Sequence, residues 1–172
     1  MKIIDDFLPL EQYAAINEVV LGADFPWYYN KSIVFDEDDD RYQFTHAVVR
    51  EFNGERSWAY PLFEPIFERL GNPKLFRAKL NLGPRDNKHS EGGFHIDCAN
   101  MTTSVFYVNT TNGYTKFADD TIVEGVGNRL VEFDSNIPHT GVSHTDAHVR
   151  CVLNVNYERI DNNKSLSIGS EA

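Results

Sequence analysis

Upstream of about residue 75, apolar residues recur every three or four positions, the period of an amphipathic helix. The first such stripe follows Pro9 and stops before Gly22, and it consists of Leu10, Tyr13, Ile16 and Val20. The second begins after a capping Ser57 and ends at Gly71, and it consists of Phe63, Ile66, Phe67 and Leu70. Pro65 inside the second stripe predicts a kink or a short helix. We therefore expect two helices ahead of the main strand region.

From Leu75 onward the period changes to two, which is typical of strands whose alternate side chains face opposite sides. In residues 75–82 apolar side chains alternate with Arg77, Lys79 and Asn81. This polar face meets water if the strand lies at the surface. If the strand lies in a closed or sandwiched sheet, the polar face points inward and needs partners, which a ligand cavity supplies.

Further short strands are predicted along the whole chain, at 1–8, 43–51, 94–97, 102–109, 114–117, 121–124, 129–133 and 149–158. Asn112-Gly113 predicts a hairpin turn between two of them. Strands at this spacing indicate an α+β chain that is mainly β, a sandwich or double-stranded β-helix (jelly roll), with the N-terminal helices packed on one sheet.

Length and composition favour one domain. The 172 residues, 41% of them hydrophobic, suffice for a single core, which we assign to residues 1–160. The segment 161–172 lacks packing residues, and we expect it to be a loose tail. No apolar run approaches the ~20 residues that span a bilayer, and the first residues lack a secretory pattern. Two cysteines, Cys98 and Cys151, argue against a disulfide framework and favour the cytoplasm.

The net charge of −10 opposes attraction to phosphate backbones and therefore argues against a nucleic-acid partner. Five consecutive acids at 36–40 contribute to this charge. Such a run predicts a solvated loop, with a docking surface for a basic partner as the alternative.

His95 and Asp97 carry the strongest chemical signal of the sequence. Residues i and i+2 of a strand share a face, so both side chains can reach one point. A second histidine from a neighbouring strand would complete two imidazoles and a carboxylate, a set that suits Fe(II) and leaves coordination positions open. Three histidines compete for that place: His139, His144 and His148. Arg150 offers a planar fork that can hold a carboxylate by two parallel hydrogen bonds.

This ordered set, His-x-Asp, then a distal histidine, then an arginine, resembles the Fe(II)- and 2-oxoglutarate-dependent dioxygenases on the prolyl-hydroxylase side, over residues 75–157. The resemblance selects His139, which follows the turn 134–138 at the start of a predicted strand, and His144 is the alternative. It implies that His95, Asp97 and His139 bind Fe(II). It also implies that Arg150 holds the far carboxylate of 2-oxoglutarate.

The resemblance also suggests that Tyr107 reaches the same far carboxylate, although a core tyrosine with its hydroxyl bonded elsewhere fits the pattern equally. Asn154 shares a strand face with Arg150. Both side chains need polar partners if they face a cavity, and 2-oxoglutarate would supply them. Asn81, and Lys79 beside it, are further candidates for the pocket lining. Thr115 resembles a turn residue that the family has near the iron, with a structural role.

The resemblance implies a dioxygenase that uses O2 and 2-oxoglutarate to hydroxylate an unactivated C–H bond, releasing succinate and CO2. The expected substrate is a peptidyl proline or another amino-acid side chain, within a peptide or free. Two other classes stay open. A jelly-roll protein of this pattern can bind metal without oxidation, and a cupin-type site with three histidines would need His144 or His148 and not 2-oxoglutarate.

Overall fold

The structure is a computed structural model that describes residues 1–32, 41–51 and 53–159. The acidic run 36–40 and the predicted tail 161–172 lie outside the described residues, so both expectations stay predictions. The described elements, in chain order, are β1 (Lys2–Ile4), α1 (Leu10–Val20), β2 (Tyr28–Asn30), β3 (Gln43–Val49), α2 (Tyr60–Arg69), β4 (Lys74–Pro84), β5 (Thr102–Tyr107), β6 (Tyr114–Phe117), β7 (Ile122–Glu124), β8 (Leu130–Asp134), β9 (His139–Val142) and β10 (Val149–Glu158).

Seven of these strands form the major sheet, in the order β1-β8-β5-β10-β4-β3-β2. Its centre is the long antiparallel pair of β4 and β10, in which Arg150 lies opposite Gly83 and Asn154 opposite Lys79. The minor sheet has the order β7-β6-β9. From β7 to β10 consecutive strands alternate between two sheets that face each other, which confirms the predicted jelly roll.

The two helices cover the outer face of the major sheet. Ile16 and Val20 from α1 and Ile66 from α2 are fully buried there against Leu80 and Leu153. This is the apolar face that the period of two predicted for β4. Its polar face, with Arg77, Lys79 and Asn81, looks into the space between the sheets. A smaller apolar cluster fills part of that space, and it consists of Val105, Tyr107, Phe117, Val123, Val131, Phe133 and Val152.

Two local predictions are corrected. Residues 94–97 do not form a strand, because only His95 makes a β-bridge and the chain around it is irregular. Asn112-Gly113 does not form a hairpin turn, because β5 and β6 belong to different sheets and the segment carries the chain between them.

The helix α2 runs through Pro65 as one short segment of 10 residues, as that proline led us to expect. Its N-cap is Ala59, although the Ser57 hydroxyl still accepts a hydrogen bond from the Ala59 amide at 3.2 Å. With 11 and 10 residues, neither helix in the described part of the chain is long and apolar enough to cross a membrane.

Candidate metal centre and its cavity

His95 and His139 are fixed to each other through their backbones. The amide of each donates to the carbonyl of the other, both at 3.0 Å, and this reciprocal pair extends the minor sheet beyond β9. His139 is the first residue of β9, as the turn before it predicted. The two imidazole rings lie 4.9 Å apart between centroids. The single bridge between His95 and His139 therefore brings the two histidines together, for which the sequence had predicted a full strand at 94–97.

A backbone carbonyl orients each imidazole. The Nδ1 atom of His95 lies 3.1 Å from the carbonyl oxygen of Gly93, and that of His139 lies 3.1 Å from the carbonyl oxygen of Ile137. A carbonyl only accepts, so Nδ1 carries the proton in both rings and Nε2 keeps its lone pair. The Nε2 atom of His139 is buried without a hydrogen-bond partner. This geometry is typical of histidines that bind a metal through Nε2.

Three side chains from the major sheet hold the Asp97 carboxylate. Arg77 donates to Oδ1 at 3.0 Å, and Thr103 and Asn156 donate to Oδ2 at 3.2 Å and 3.1 Å. Arg77 lies opposite Asn156 in the β4–β10 register, and Asn156 lies opposite Thr103 in the β10–β5 register. One row across three strands therefore supplies all three donors, and it fixes a carboxylate that belongs to an irregular segment.

The electrostatics of the cluster favour an ionised carboxylate at Asp97. Burial alone would raise the pKa of Asp97, but attraction by His139 and Arg77 and the Asn156 hydrogen bond hold this pKa below its usual range. Burial lowers the pKa of His139. The ligand atoms of His95, Asp97 and His139 all lie within 4.8 Å of one another. Two imidazoles and a carboxylate are donors that fit Fe(II).

The cluster closes one end of a cavity of about 250 Å³ between the two sheets. The cavity has a polar floor from β4 and β10 and a partly apolar wall, and its lining is Gln43, Arg77, Lys79, Asn81, His95, Ile96, Asp97, Val105, Thr115, His139, Gly141, Arg150, Val152 and Asn154.

Arg150 lies at the end of this cavity away from Asp97. Its Nη2 atom donates to the carbonyl of Tyr114 at a long 3.5 Å, and its Nε atom is buried without a partner. Among the described residues no carboxylate pairs with it. Burial lowers the pKa of Arg150, yet arginine stays protonated in proteins. A buried guanidinium without an acid partner is suited to an anionic ligand.

Tyr107 lies under Arg150. The guanidinium carbon is 5.7 Å from the centre of its ring, and its hydroxyl bonds to the Thr115 hydroxyl at 2.7 Å. The ring is fully buried and does not line the cavity, whereas Thr115 does. The hydroxyl is therefore bonded elsewhere, as in the second of the two interpretations that the sequence left open.

Asn81 and Asn154 both line the cavity between its two ends. The Oδ1 atom of Asn154 is buried without a hydrogen-bond partner, which leaves an acceptor for a ligand.

His144 and His148 lie apart from the cluster. His144 lines an adjoining cavity of about 290 Å³, which shares Arg150 and Asn81 with the first. His148 is exposed. Within the described ranges, only the group of His95, Asp97 and His139 brings three such donors together.

Sequence reasoning did not identify Arg77, Thr103 and Asn156 as the partners of Asp97. The available signal was that each lies on the polar face of a predicted strand. Their convergence depends on the register between strands, which the sequence did not provide.

No protein-family model matches the chain, and no curated protein matches it in sequence. Solved structures do match. One is an oxidoreductase of the 2OG-Fe(II) oxygenase family from Burkholderia pseudomallei, with a TM-score of 0.67 and 14% identity over 92% of this chain and 84% of that one.

Two prolyl hydroxylases are also similar in structure. The prolyl-4-hydroxylase of Pseudomonas putida has a TM-score of 0.58 and 19% identity over 92% of both chains. The prolyl hydroxylase of Trichoplax adhaerens, in complex with a hypoxia inducible factor oxygen degradation domain peptide fragment, has a TM-score of 0.59 and 17% identity over 99% of this chain and 87% of that one. The chain therefore has the fold of these oxygenase structures, as its sequence resemblance led us to expect.

Proposed function

We propose that this protein is an Fe(II)- and 2-oxoglutarate-dependent dioxygenase that hydroxylates an unactivated C–H bond. The observation that carries the proposal is one cavity with a metal-binding cluster at one end and an unpaired guanidinium, Arg150, at the other. The fold shared with 2OG-Fe(II) oxygenase and prolyl hydroxylase structures supports the same activity. The cytoplasm is its proposed location.

His95, Asp97 and His139 would hold Fe(II). The buried, partnerless Nε2 atom of His139 supports this assignment, since a buried imidazole nitrogen without a partner is costly unless a ligand satisfies it. The bound metal would supply the oxygen activation, for which two imidazoles and one carboxylate leave coordination positions free.

Arg150 would hold the far carboxylate of 2-oxoglutarate by two parallel charge-assisted hydrogen bonds. Asn81 and Asn154 would line the cavity between that carboxylate and the metal end. The Oδ1 atom of Asn154 is available to accept a hydrogen bond. We assign Tyr107 a positioning role: its ring supports the guanidinium and its hydroxyl fixes Thr115. Direct contact between Tyr107 and the co-substrate stays a prediction.

The overall reaction consumes 2-oxoglutarate, O2 and a substrate C–H bond and forms succinate, CO2 and the corresponding alcohol. In this reaction Arg150, Asn81 and Asn154 would orient the co-substrate. Arg77, Thr103 and Asn156 would hold the Asp97 carboxylate in place for the metal. Val105 and Val152, both buried, give the cavity an apolar wall. Positioning and a dry cavity are what the protein contributes to such chemistry.

The similar structures also bear on the class of substrate. Two similar structures are prolyl hydroxylases, one of them in complex with a peptide. These likenesses support an amino-acid side chain, within a peptide or free, as the hydroxylated group.

The other two classes have less support. A cupin-type site would use His144 or His148, but His144 lies at a different cavity and His148 is exposed. A binding protein without oxidation would bind the metal and form no succinate, which distinguishes it from the proposed enzyme.

The substitution Arg150→Ala tests the co-substrate site. It removes charge-assisted hydrogen bonds worth about 1.5–3 kcal/mol, so the affinity for 2-oxoglutarate should fall roughly tenfold to a hundredfold. Anaerobic titration of the Fe(II)-loaded protein measures it. Arg50→Ala, at an exposed arginine paired with Glu55, is the matched control and should leave the affinity unchanged. Equal affinity in Arg150→Ala and wild type would refute the assignment.

A further inference from the structure

Lys79 is a cation inside the proposed active-site cavity with no acid of its own. It is half-buried on β4 and lines the cavity between Arg77 and Asn81. Among the described residues no carboxylate lies within ion-pair distance of it. Its neighbour Arg77 differs, because Arg77 pairs with Asp97 at 3.0 Å and with Glu51 at 3.6 Å.

With iron and 2-oxoglutarate bound, the charges in the cavity would not balance. Fe(II) and Asp97 together would carry one positive charge, and Arg77 and Glu51 cancel. Lys79 and Arg150 each add one positive charge. The two negative charges of 2-oxoglutarate neutralise two of these three, so one positive charge stays in the cavity. Buried charges are normally paired, so the loaded cavity is short of one anion.

The position of Lys79 indicates which molecule supplies that anion. Lys79 lies opposite Asn154 and only two residues from Arg77, which holds Asp97, whereas Arg150 lies opposite Gly83 at the far end. Lys79 is therefore near the metal end, where the substrate must place its C–H bond. Burial and repulsion by Arg77 lower the pKa of Lys79 more than the attraction of Asp97 and Glu51 raises it, so an anion bound beside Lys79 would stabilise its charged form.

We propose that the substrate is an amino-acid-like molecule whose carboxylate pairs with Lys79, while its apolar part lies against Ile96 and Val105. The proposal rests on the proposed function and narrows it, because it favours a carboxylate-bearing substrate over a neutral prolyl peptide.

The test compares wild type with Lys79→Met, which keeps the length and apolar stem of the side chain and removes its charge. Lys79→Arg is the conservative variant, and Lys2→Met, at an exposed lysine on β1, is the control. The probes are the acetylated L-amino acids and acetylated dipeptides, each as the free carboxylate and as the neutral primary amide. Succinate formation measures turnover, and anaerobic calorimetry on the Fe(II)–2-oxoglutarate protein measures binding.

We expect at least one carboxylate to be turned over and its amide not. Lys79→Met should raise KM and Kd for that carboxylate roughly tenfold to a hundredfold with a smaller change in kcat, and Lys79→Arg should restore part of the loss. The affinity for 2-oxoglutarate is measured by anaerobic titration of the visible charge-transfer band of the iron–2-oxoglutarate chelate. It should stay within about twofold of wild type, since the proposal assigns Lys79 to the substrate and Arg150 to the co-substrate. Lys2→Met should match wild type.

Three results would overturn the proposal while the metal centre stands. They are a co-substrate affinity that falls with Lys79→Met, amides turned over as well as carboxylates, and a panel without any substrate despite an intact charge-transfer band. Wild-type protein that binds iron without forming that band would overturn the proposed function itself, and the carboxylate proposal with it.

Discussion

Arg77 is one of three residues through which the major sheet fixes the Asp97 carboxylate of the candidate metal centre. We predict that Arg77→Met lowers the affinity for Fe(II) roughly tenfold to a hundredfold, because outer residues that orient a metal ligand have effects of this size. Loss of this guanidinium also removes an attraction that holds down the pKa of Asp97, so the loss of affinity should be larger at acidic pH. Binding of Fe(II) under anaerobic conditions measures it.

Arg50→Met is the control for Arg77→Met, because Arg50 is an exposed arginine whose partner, Glu55, is exposed as well. If both variants bound Fe(II) as tightly as wild type, Arg77 would have no role in the metal centre.

At the residue scale the sequence indicates the candidate ligands but not the residues that support them. His95 and Asp97 are candidates because they lie two residues apart, and the resemblance selects His139, whose place within 4.8 Å of both the structure shows. Arg77, Thr103 and Asn156 come from three strands, and only the register of those strands brings them to one carboxylate.

Among the elements, the segment between β5 and β6 determines where Arg150 lies. A Cβ atom at Gly113 would stand 2.8 Å from Cδ of Arg150 and 2.9 Å from the carbonyl oxygen of Val142. We predict that Gly113→Ala displaces the Arg150 side chain and weakens binding of 2-oxoglutarate several-fold, with Fe(II) binding unchanged. Paired titrations of metal and co-substrate measure both, and unchanged co-substrate affinity would contradict this account of Gly113.

The same segment explains why one element prediction was wrong. Asn-Gly is a strong hairpin signal, but here the glycine permits close packing against Arg150 and the chain passes to the other sheet. The long strands were predictable because their alternation is regular, and β10 has the predicted bounds Val149–Glu158. His95 and Asp97 lie in an irregular stretch whose place is fixed by contacts with β9 and the major sheet.

The whole molecule should lose stability in mild acid when it holds no metal. Burial lowers the pKa of both His139 and His144 below the ordinary 6.5, so the unfolded chain binds protons that the folded chain does not. The stabilisation is complete above about pH 6.5 and declines as the pH falls below it. Each histidine contributes a slope of at most about 1.4 kcal/mol per pH unit.

Urea unfolding of the metal-free protein between about pH 7.5 and pH 5 measures this slope. We expect His144→Gln to reduce it, because this histidine is fully buried and lies outside the metal cluster. A slope equal to that of wild type, or stability that rises towards acid, would contradict the assignment of neutral buried histidines.

The topology of the molecule was predictable as a class and not in detail. The change of period near Leu75 indicated helices followed along the chain by strands, and the spacing of the turns indicated a jelly roll. The division into a seven-stranded and a three-stranded sheet depends on which edges pair across long stretches of chain, as β1 does with β8. No local pattern contains that information.

The most direct test of the account is an anaerobic titration with Fe(II) and then 2-oxoglutarate, followed by visible absorption. Wild type should form the charge-transfer band of the iron–2-oxoglutarate chelate. The band should be absent in Asp97→Ala, which lacks a metal ligand, and weaker in Arg150→Ala at the same co-substrate concentration. Wild-type protein that binds iron but forms no band would contradict the central claim that one cavity holds both iron and 2-oxoglutarate.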